Sequence, residues 1–580
     1  MNKHFRIGLF AAAFGLATLS PLGLSAGPRP ADQDNDHDYD LNHNRHVLLI
    51  SIDGMHAVDY ENCVAAKTCP NLAGLGETGV NYTRTTTSRP SDSFPGLMAL
   101  VTGGTPKTVG AFYDVAYDRV LAPPAEDTGN GLVHGTCTPG VVNGTQTEYE
   151  EGVEIDQTQL NGGFSGYSTR DGGVKSINPK RLERDPFNGC EPVYPWNFIR
   201  TNTIYGVIHA AGGYTAWSDK HAVYAAVSGP TGTAHPSNVD DYYSPEVNSN
   251  IIPLAGVTTA TTNNDCSKLP SGTGNDWTTD FVSIQCYDQL KVDAVVNWIK
   301  GKTHLGGSSA PVPSIFGMNF QAVSVGEKLI EKGTYGGYTD AAGDPTPSML
   351  SEIKFVDGAI GEMVKALETQ GLLNSTTIII TAKHGQSPID PKRFFPIPGP
   401  SGTNGMPPSQ ILAALLPSAE TTGLGPTEDD ISQLWLTRSD DTLTAVNMLE
   451  TNAKEAGIGQ IFYGASLTTM FNAPGYPTYP GPCCRLEEGG DPRTPDIIVA
   501  PNVGVVYTGS SKKQAEHGGF AWDDTNVMLL VSNPAIQPKT VTSFVETSQV
   551  APTILQILGL NPSALDAVKL EGTPVLPDLF

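Results

Sequence analysis

The stretch HVLLISIDG (46–54) decides the fold. It is a short, β-branched, apolar run closed by Asp-Gly, and that pattern predicts a buried strand. Similar runs recur at PSIFGMNF (313–320), STTIIITAKHG (375–385), PDIIVAP (495–501) and NVMLLVSNP (526–534). Between them lie helical patterns. PSMLSEIKFVDGAIGEMVKALETQG (347–371) is apolar on one face and stops at Gly371, and NTIYGVIHAAGG (202–213) also stops at glycine. Strands alternating with helices predict an α/β fold, a central sheet covered by helices on both faces.

Two regions break this rhythm. Residues 121–200 are rich in glycine, asparagine, threonine and acidic residues, and residues 391–430 in proline and glycine. Both read as insertions at one end of the sheet. The second opens a smaller cap, taken to extend to about residue 490. No internal repeat is evident.

Ahead of the first strand, MNKHFRIGLFAAAFGLATLSPLGLSAG has the three parts of a secretory signal, with Lys3 and Arg6 at its start and small residues near Ala26. Its apolar run is too short to serve as a membrane anchor; the competing reading is a buried N-terminal helix. Residues 27–45, with DQDNDHDYD, read as a flexible acidic leader. The expected organisation is therefore a signal (1–26), a leader (27–45) and one domain with insertions (46–580), exported to the periplasm or the medium. Formal charge is −25, from 35 basic and 60 acidic residues. Such an exterior repels phosphate backbones and excludes extended nucleic-acid binding. A small anionic substrate still fits, because a helix N-terminus or a cation reverses the sign locally.

Eight cysteines in an exported chain favour disulfides. Neighbours in sequence suggest Cys63 with Cys69, Cys137 with Cys190, and Cys266 with Cys286. The adjacent Cys483 and Cys484 form a vicinal bridge or pair elsewhere. No CxxC pair is present, which argues against structural zinc.

In open α/β sheets ligands bind beyond the carboxyl ends of the strands. Asp53, Asn319 and the pair Lys383–His384 each end a strand run, and His517 precedes another. Any one of these residues alone reads as a turn or cap. Ser93, in RPSDSFPGLMALVTGG, stands at the start of a helical turn. It either caps that helix or, beside an anion held at the helix N-terminus, acts as a nucleophile. A further cluster, TAWSDKHAVY (215–224), places Asp219, Lys220 and His221 after a short strand. It reads as a wall of the cleft or as a surface turn capped by Asp219. The surface turn is favoured, since no motif mechanism applies. GGTPKT (103–108) is not a P-loop, because the spacing fails and no strand leads into it.

The order IDG, CPNLAGLGETGV, PSDSFPGLMALVTGG, TAKHGQSP, EHGGF and QVAPTILQILGL resembles the alkaline phosphatase superfamily, and within it the type I phosphodiesterase/nucleotide pyrophosphatase branch. The resemblance runs from residue 46 to about 575 and implies an alkaline-phosphatase-like mixed sheet with an inserted cap. It also implies hydrolysis of phosphoric esters, diesters or nucleotide-like substrates, through a covalent intermediate on Ser93. In that family two zinc ions lie at the strand ends. By resemblance Asp53, Ser93, His384 and His517 match metal ligands, with Ser93 also the nucleophile. Asn319 and Asp114 fall at substrate-side positions.

The departures are specific. Lys383 stands for the aspartate of an Asp-His pair. In NFQAVSVG, Asn319 and Val323 stand for an aspartate and a histidine. A charged lysine repels a cation, and valine has no lone pair. Three arrangements stay open. One divalent ion, such as zinc, is held by Asp53, Ser93, His384 or His517 with Asp114 or Gln321 assisting. Alternatively, Lys383 supplies the missing positive charge at a catalytic Ser93. In the third, the protein binds an anion or metal without turnover. Sulfatase maturation is excluded, since Leu97 stands where that motif needs arginine.

Overall fold

The computed structural model describes residues 45–128, 132–149, 155–156, 158–159, 173–249, 256–268, 276–415, 421–422, 428–436, 439–467 and 491–580. The signal, all of the leader but its last residue, and Cys483–Cys484 lie outside the described residues.

Eight strands form the main sheet: β1 His46–Ile52, β2 Gly79–Tyr82, β3 Ala216–Ser218, β4 Asp241–Tyr243, β5 Ile315–Phe320, β6 Thr376–Thr381, β7 Leu530–Ser532 and β8 Lys539–Val541. Their order across the sheet is β8-β2-β7-β6-β1-β5-β3-β4. The strand that decided the fold lies at the centre, parallel to both β5 and β6. Only β7 runs antiparallel to its neighbours, β6 and β2. The sheet is therefore mixed.

Helices cover both faces, and β1 shows why Val47–Ile50 is an unbroken apolar run. Val47 and Leu49 pack into one core with α1 (Ser93–Thr102) and α5 (Val550–Ile557). Leu48, Ile50 and Ile52 pack into the other core with α2 (Phe281–Ile299), α3 (Ala322–Lys328) and α4 (Pro347–Gln370). Successive side chains point to opposite faces, so a strand with a core on each side needs an apolar residue at every position. Each fully buried leucine or isoleucine contributes about 1.5–3 kcal/mol.

Two strand expectations are corrected. PDIIVAP does not join the main sheet. Its Ile497–Pro501 belongs to a separate four-stranded antiparallel sheet with Thr421–Thr422, Ser432–Leu436 and Ile458–Tyr463. A buried apolar run has the same signature in either sheet, because each has its own core; here Leu434, Leu449 and Val499 share one. NVMLLVSNP is two strands. Asn526–Val527 pairs with Thr85–Thr86, and only Leu530–Ser532 enters the main sheet. The pairs Cys63–Cys69, Cys137–Cys190 and Cys266–Cys286 are disulfide-bonded.

Candidate active site

Parallel neighbours bring the ends of β1, β5, β6 and β3 to one rim of the sheet. Ser51 pairs in register with Asn319 on one side and with Thr381 on the other. The next residues of each strand therefore emerge side by side. After β1 the chain turns at Asp53-Gly54, where Gly54 takes a positive φ of 82° and a Cβ would come within 3.0 Å of the Ser324 backbone.

Asp53 is fully buried. Its Oδ2 accepts from Gln321 Nε2 at 2.6 Å and from Asn319 Nδ2 at 3.2 Å. Lys383 Nζ lies 3.3 Å from the same oxygen, and His384 Nε2 lies 3.6 Å away. Burial works against the charge on Asp53, but nearby Lys383 outweighs it, with help from His384 and Lys220, and holds this carboxyl well below the usual range.

Ser93 is the first residue of α1 and is also fully buried. The preceding Asp92 is the N-cap residue, yet its side chain does not cap the first turn; its Oδ2 accepts from the Asp114 N–H at 2.9 Å. Ser93 therefore starts a helix whose first amides are not tied to the N-cap side chain. The helix approaches β6 closely because of Gly96, where a Cβ would stand 2.2 Å from the Lys383 carbonyl oxygen. That approach sets Ser93 Oγ 3.1 Å from His384 Nε2.

His384 Nδ1 lies 2.9 Å from the Gly385 carbonyl oxygen. A carbonyl only accepts, so Nδ1 carries the proton and Nε2 offers its lone pair to the serine hydroxyl. Burial, reinforced by the neighbouring His517, lowers the His384 pKa to about 4, so the ring is neutral near pH 7. The His517 ring stacks 4.0 Å from that of His384, tilted by 34°. His517 Nδ1 lies 3.1 Å from Asp92 Oδ1, within ion-pair range but off the hydrogen-bond axis. Burial depresses the His517 pKa, but Asp92 more than offsets this and leaves it raised.

The favoured reading of TAWSDKHAVY as a surface turn is corrected. Asp219, Lys220 and His221 are buried. Strand β3 ends at Ser218 on the same rim, so the next residues point into the site. Lys220 Nζ donates to Ser93 Oγ at 3.1 Å. Asp219 Oδ1 lies 3.4 Å from Lys383 Nζ, while its Oδ2 accepts from Trp217 Nε1 at 3.0 Å. Lys383 also stands 4.5 Å from the centre of the Tyr224 ring, a favourable place for a cation. The signal that could have found this wall is the strand-end rule that exposed Asp53, applied to the three-residue strand AWS ahead of the apolar run AVYAAV.

The structure thus brings Asp53, Ser93, Asn319, Lys383, His384 and His517 together. Asp114 joins through its backbone hydrogen bond to Asp92, and its own Oδ1 accepts from Val115 N. Val323 packs in the apolar core on one face of the sheet.

The family model described as type I phosphodiesterase/nucleotide pyrophosphatase matches residues 47–165 and 334–523, together more than half of the chain. The chain belongs to this family. It is therefore a member of the alkaline phosphatase superfamily. Among solved structures, murine ectonucleotide pyrophosphatase/phosphodiesterase 5, in an inactive form in complex with AMP, shares 13% identity. The likeness covers 89% of this chain and 96% of that one, with a TM-score of 0.51. A second structure of the murine protein gives 14% identity, a TM-score of 0.52 and the same coverage. The human protein gives 12% identity and a TM-score of 0.50, covering 89% of this chain and 95% of its own. At these identities the likeness concerns the fold alone. No curated protein sequence matches significantly.

Members of the type I phosphodiesterase family generally use divalent metals, zinc among them. The donor set in this member does not fit a pair of such ions. Asn319 turns an N–H donor toward Asp53, and Val323 offers only methyl groups. A divalent ion between Asp53 and Asp219 would meet the Lys383 side chain already held by both carboxylates. Among the described residues, no group of three or more His, Cys, Asp or Glu side chains is disposed to hold a metal.

Proposed function

We propose that this chain hydrolyses phosphoric esters with Ser93 as the nucleophile, acting on small diester or nucleotide-like substrates outside the cytoplasm. The observation that carries this reading is the position of Ser93 Oγ, 3.1 Å from both His384 Nε2 and Lys220 Nζ at the start of a helix. A hydroxyl so placed has an acceptor for its proton and a cation beside the charge that develops on oxygen. The positive end of α1 suits the non-bridging phosphoryl oxygens. Membership of a phosphodiesterase family supports the substrate class, and a structural relative solved with AMP is consistent with a nucleotide-like substrate. Export is supported by three disulfides, which persist in oxidising compartments. Among the described residues no helix is long and apolar enough to cross a membrane.

In the first half-reaction the Ser93 hydroxyl attacks phosphorus and its proton passes to His384 Nε2. The leaving oxygen then takes that proton. The adduct on Ser93 keeps the ester group that was not expelled; water attacks its phosphorus in the second half, giving up a proton to His384, and Ser93 regains that proton as the monoester product leaves. The test is hydrolysis of an aryl phosphodiester by the wild type and by Ser93→Ala, with mass spectrometry after rapid acid quench for an adduct on Ser93 that carries the phosphoryl group and the retained ester. Loss of turnover and of the adduct in the variant is expected. Equal turnover in the two proteins would sink the nucleophile.

A second reading, binding without turnover, has one observation in its favour. Asp53, Ser93, Lys383 and His384 are each only 0–1% exposed. Failure of the wild type to hydrolyse any mono- or diester, with retained binding of phosphate or AMP, would select it.

A further inference from the structure

We infer that Lys383 and Lys220 replace the family's metal ions as the source of positive charge, and that Lys220 is a catalytic residue. This inference rests on Ser93 being the nucleophile and adds how its charge is managed.

Two buried carboxylates, Asp53 and Asp219, face each other across Lys383 Nζ at 3.3 and 3.4 Å. Neither is a chance neighbour. Asp53 is fixed by Asn319 and Gln321, and Asp219 by Trp217 Nε1 and by the Lys220 backbone N–H at 2.8 Å. Two carboxylates held this way form a pocket for a cation. In this chain the cation is tethered, a lysine side chain rather than a free ion. The exchange is self-consistent, since residue 383 is the position at which the family resemblance expects a metal-binding aspartate. Losing that carboxylate while gaining an ammonium removes a ligand and fills the place it served.

Lys220 completes the exchange at the reacting atom. In the family a metal would polarise the nucleophile; here Lys220 Nζ donates to a lone pair of Ser93 Oγ. The serine proton is then left to point at His384 Nε2, whose other nitrogen is held by the Gly385 carbonyl. As the Oγ–P bond forms and the P–O bond to the leaving group breaks, the serine proton moves to His384 and on to the leaving oxygen. Hydrolysis of the Ser93 adduct, which still carries the retained ester, reverses these moves and consumes one water. Lys220 keeps its protons throughout and offsets the charge on Oγ. Its position is fixed from behind. Tyr287 Oη, donating to the Pro245 carbonyl at 2.5 Å, lies 3.2 Å from the Lys220 carbonyl, and His221 pairs with Glu246 at 2.5 Å.

The experiment begins with full-length protein purified in the presence of zinc, its bound metal measured by mass spectrometry and its aryl diester hydrolysis followed with and without a chelator. We expect no stoichiometric metal and no loss on chelation. Lys220→Met should lower kcat by about 10²-fold with KM little changed, and Lys220→Arg should recover part of it. Lys383→Asp should restore the missing ligand and bind one zinc per chain, read by metal content alone. Stoichiometric zinc in the wild type, with hydrolysis lost to chelator and restored by zinc, would overturn the inference and leave Ser93 standing. No hydrolysis under any condition would overturn the Ser93 reading instead. Because a buried lysine can be needed for folding, a Lys220→Met chain that fails to melt cooperatively is replaced by Lys220→Gln, which keeps a donor but not the charge, and an unchanged kcat there would remove Lys220 from the catalytic set.

Discussion

Ser93 Oγ stands between two walls of unlike construction. One wall is made by the start of α1 and the end of β6, and its members are set by backbone packing: Gly96 lies directly against the Lys383 carbonyl, and the helix cannot shift without losing the core under it. The other wall is the loop after β3. It is held by side chains, with Trp217 on Asp219, Tyr242 Oη on the His221 carbonyl, and Glu246 on His221. The first wall supplies the nucleophile and the base. The second adds the Lys220 charge to that of Lys383. Position in this site is a property of the sheet and helix backbones, whereas charge depends on which side chains reach the same point, so charge is the property that substitution can reassign.

The sharpest way to break that comparison is to remove the base from the backbone-set wall. His384→Ala should lower kcat by about 10³-fold, within the range for loss of a general base, and the Ser93 adduct should no longer accumulate in quench experiments. A loss smaller than that of Lys220→Met would mean that the two walls have exchanged roles.

A second change leaves every reacting group intact and alters only position. In Gly96→Ala the new methyl would meet a backbone carbonyl at 2.2 Å, and backbone cannot rotate aside as a side chain can. The helix must move outward, carrying Ser93 away from His384. The expected cost is about 1–3 kcal/mol in denaturant unfolding, typical of overpacking, with a fall in kcat of about 10²-fold from misplacement of the nucleophile. Wild-type turnover in a stable variant would show that the backbone does not set the distance.

These two walls were unequally legible from sequence. HVLLISIDG, the Asp53-Gly54 turn and Ser93 in PSDSFPG each carry a local pattern that implies its position: a strand with two cores, a turn, a helix start. Asp219 and Lys220 carry none. A charged triplet after a three-residue strand looks like a solvated turn, and only its tertiary surroundings, Trp217, Tyr224 and the Lys383 side chain, make it interior. The same limit explains why PDIIVAP was placed in the wrong sheet. Apolar runs report burial, and burial alone does not say which sheet does the burying. Gln321 and Asn319 were visible as polar residues at a strand end, but their donation to Asp53 depends on the parallel register of β1 and β5.

The smallest expected effect on turnover concerns a carboxylate buried without lysine nearby, and it tests whether cations are what keep Asp53 ionised. Glu183 is 1% exposed and accepts from Tyr149 Oη at 3.2 Å and from the Glu148 N–H at 3.3 Å, with no cation among these donors. Burial pushes its pKa up to about 8, whereas Asp53, equally buried but beside Lys383, is held low. The signs of linkage are therefore opposite. Asp53 adds stability above the ordinary carboxylate pKa and loses it as pH falls. Glu183 binds its proton more tightly in the folded chain, so stability declines as pH rises from about 4.5 to about 8 and is flat beyond. Glu183→Gln keeps a neutral side chain at that point and should remove this slope, at most about 1.4 kcal/mol per pH unit, while leaving kcat unchanged. Urea titrations of the two proteins at several pH values in that window measure it. Parallel stability curves would mean that Glu183 is ionised in the folded chain despite its burial, and the contrast with Asp53 would then lie in hydrogen bonding rather than in the lysines.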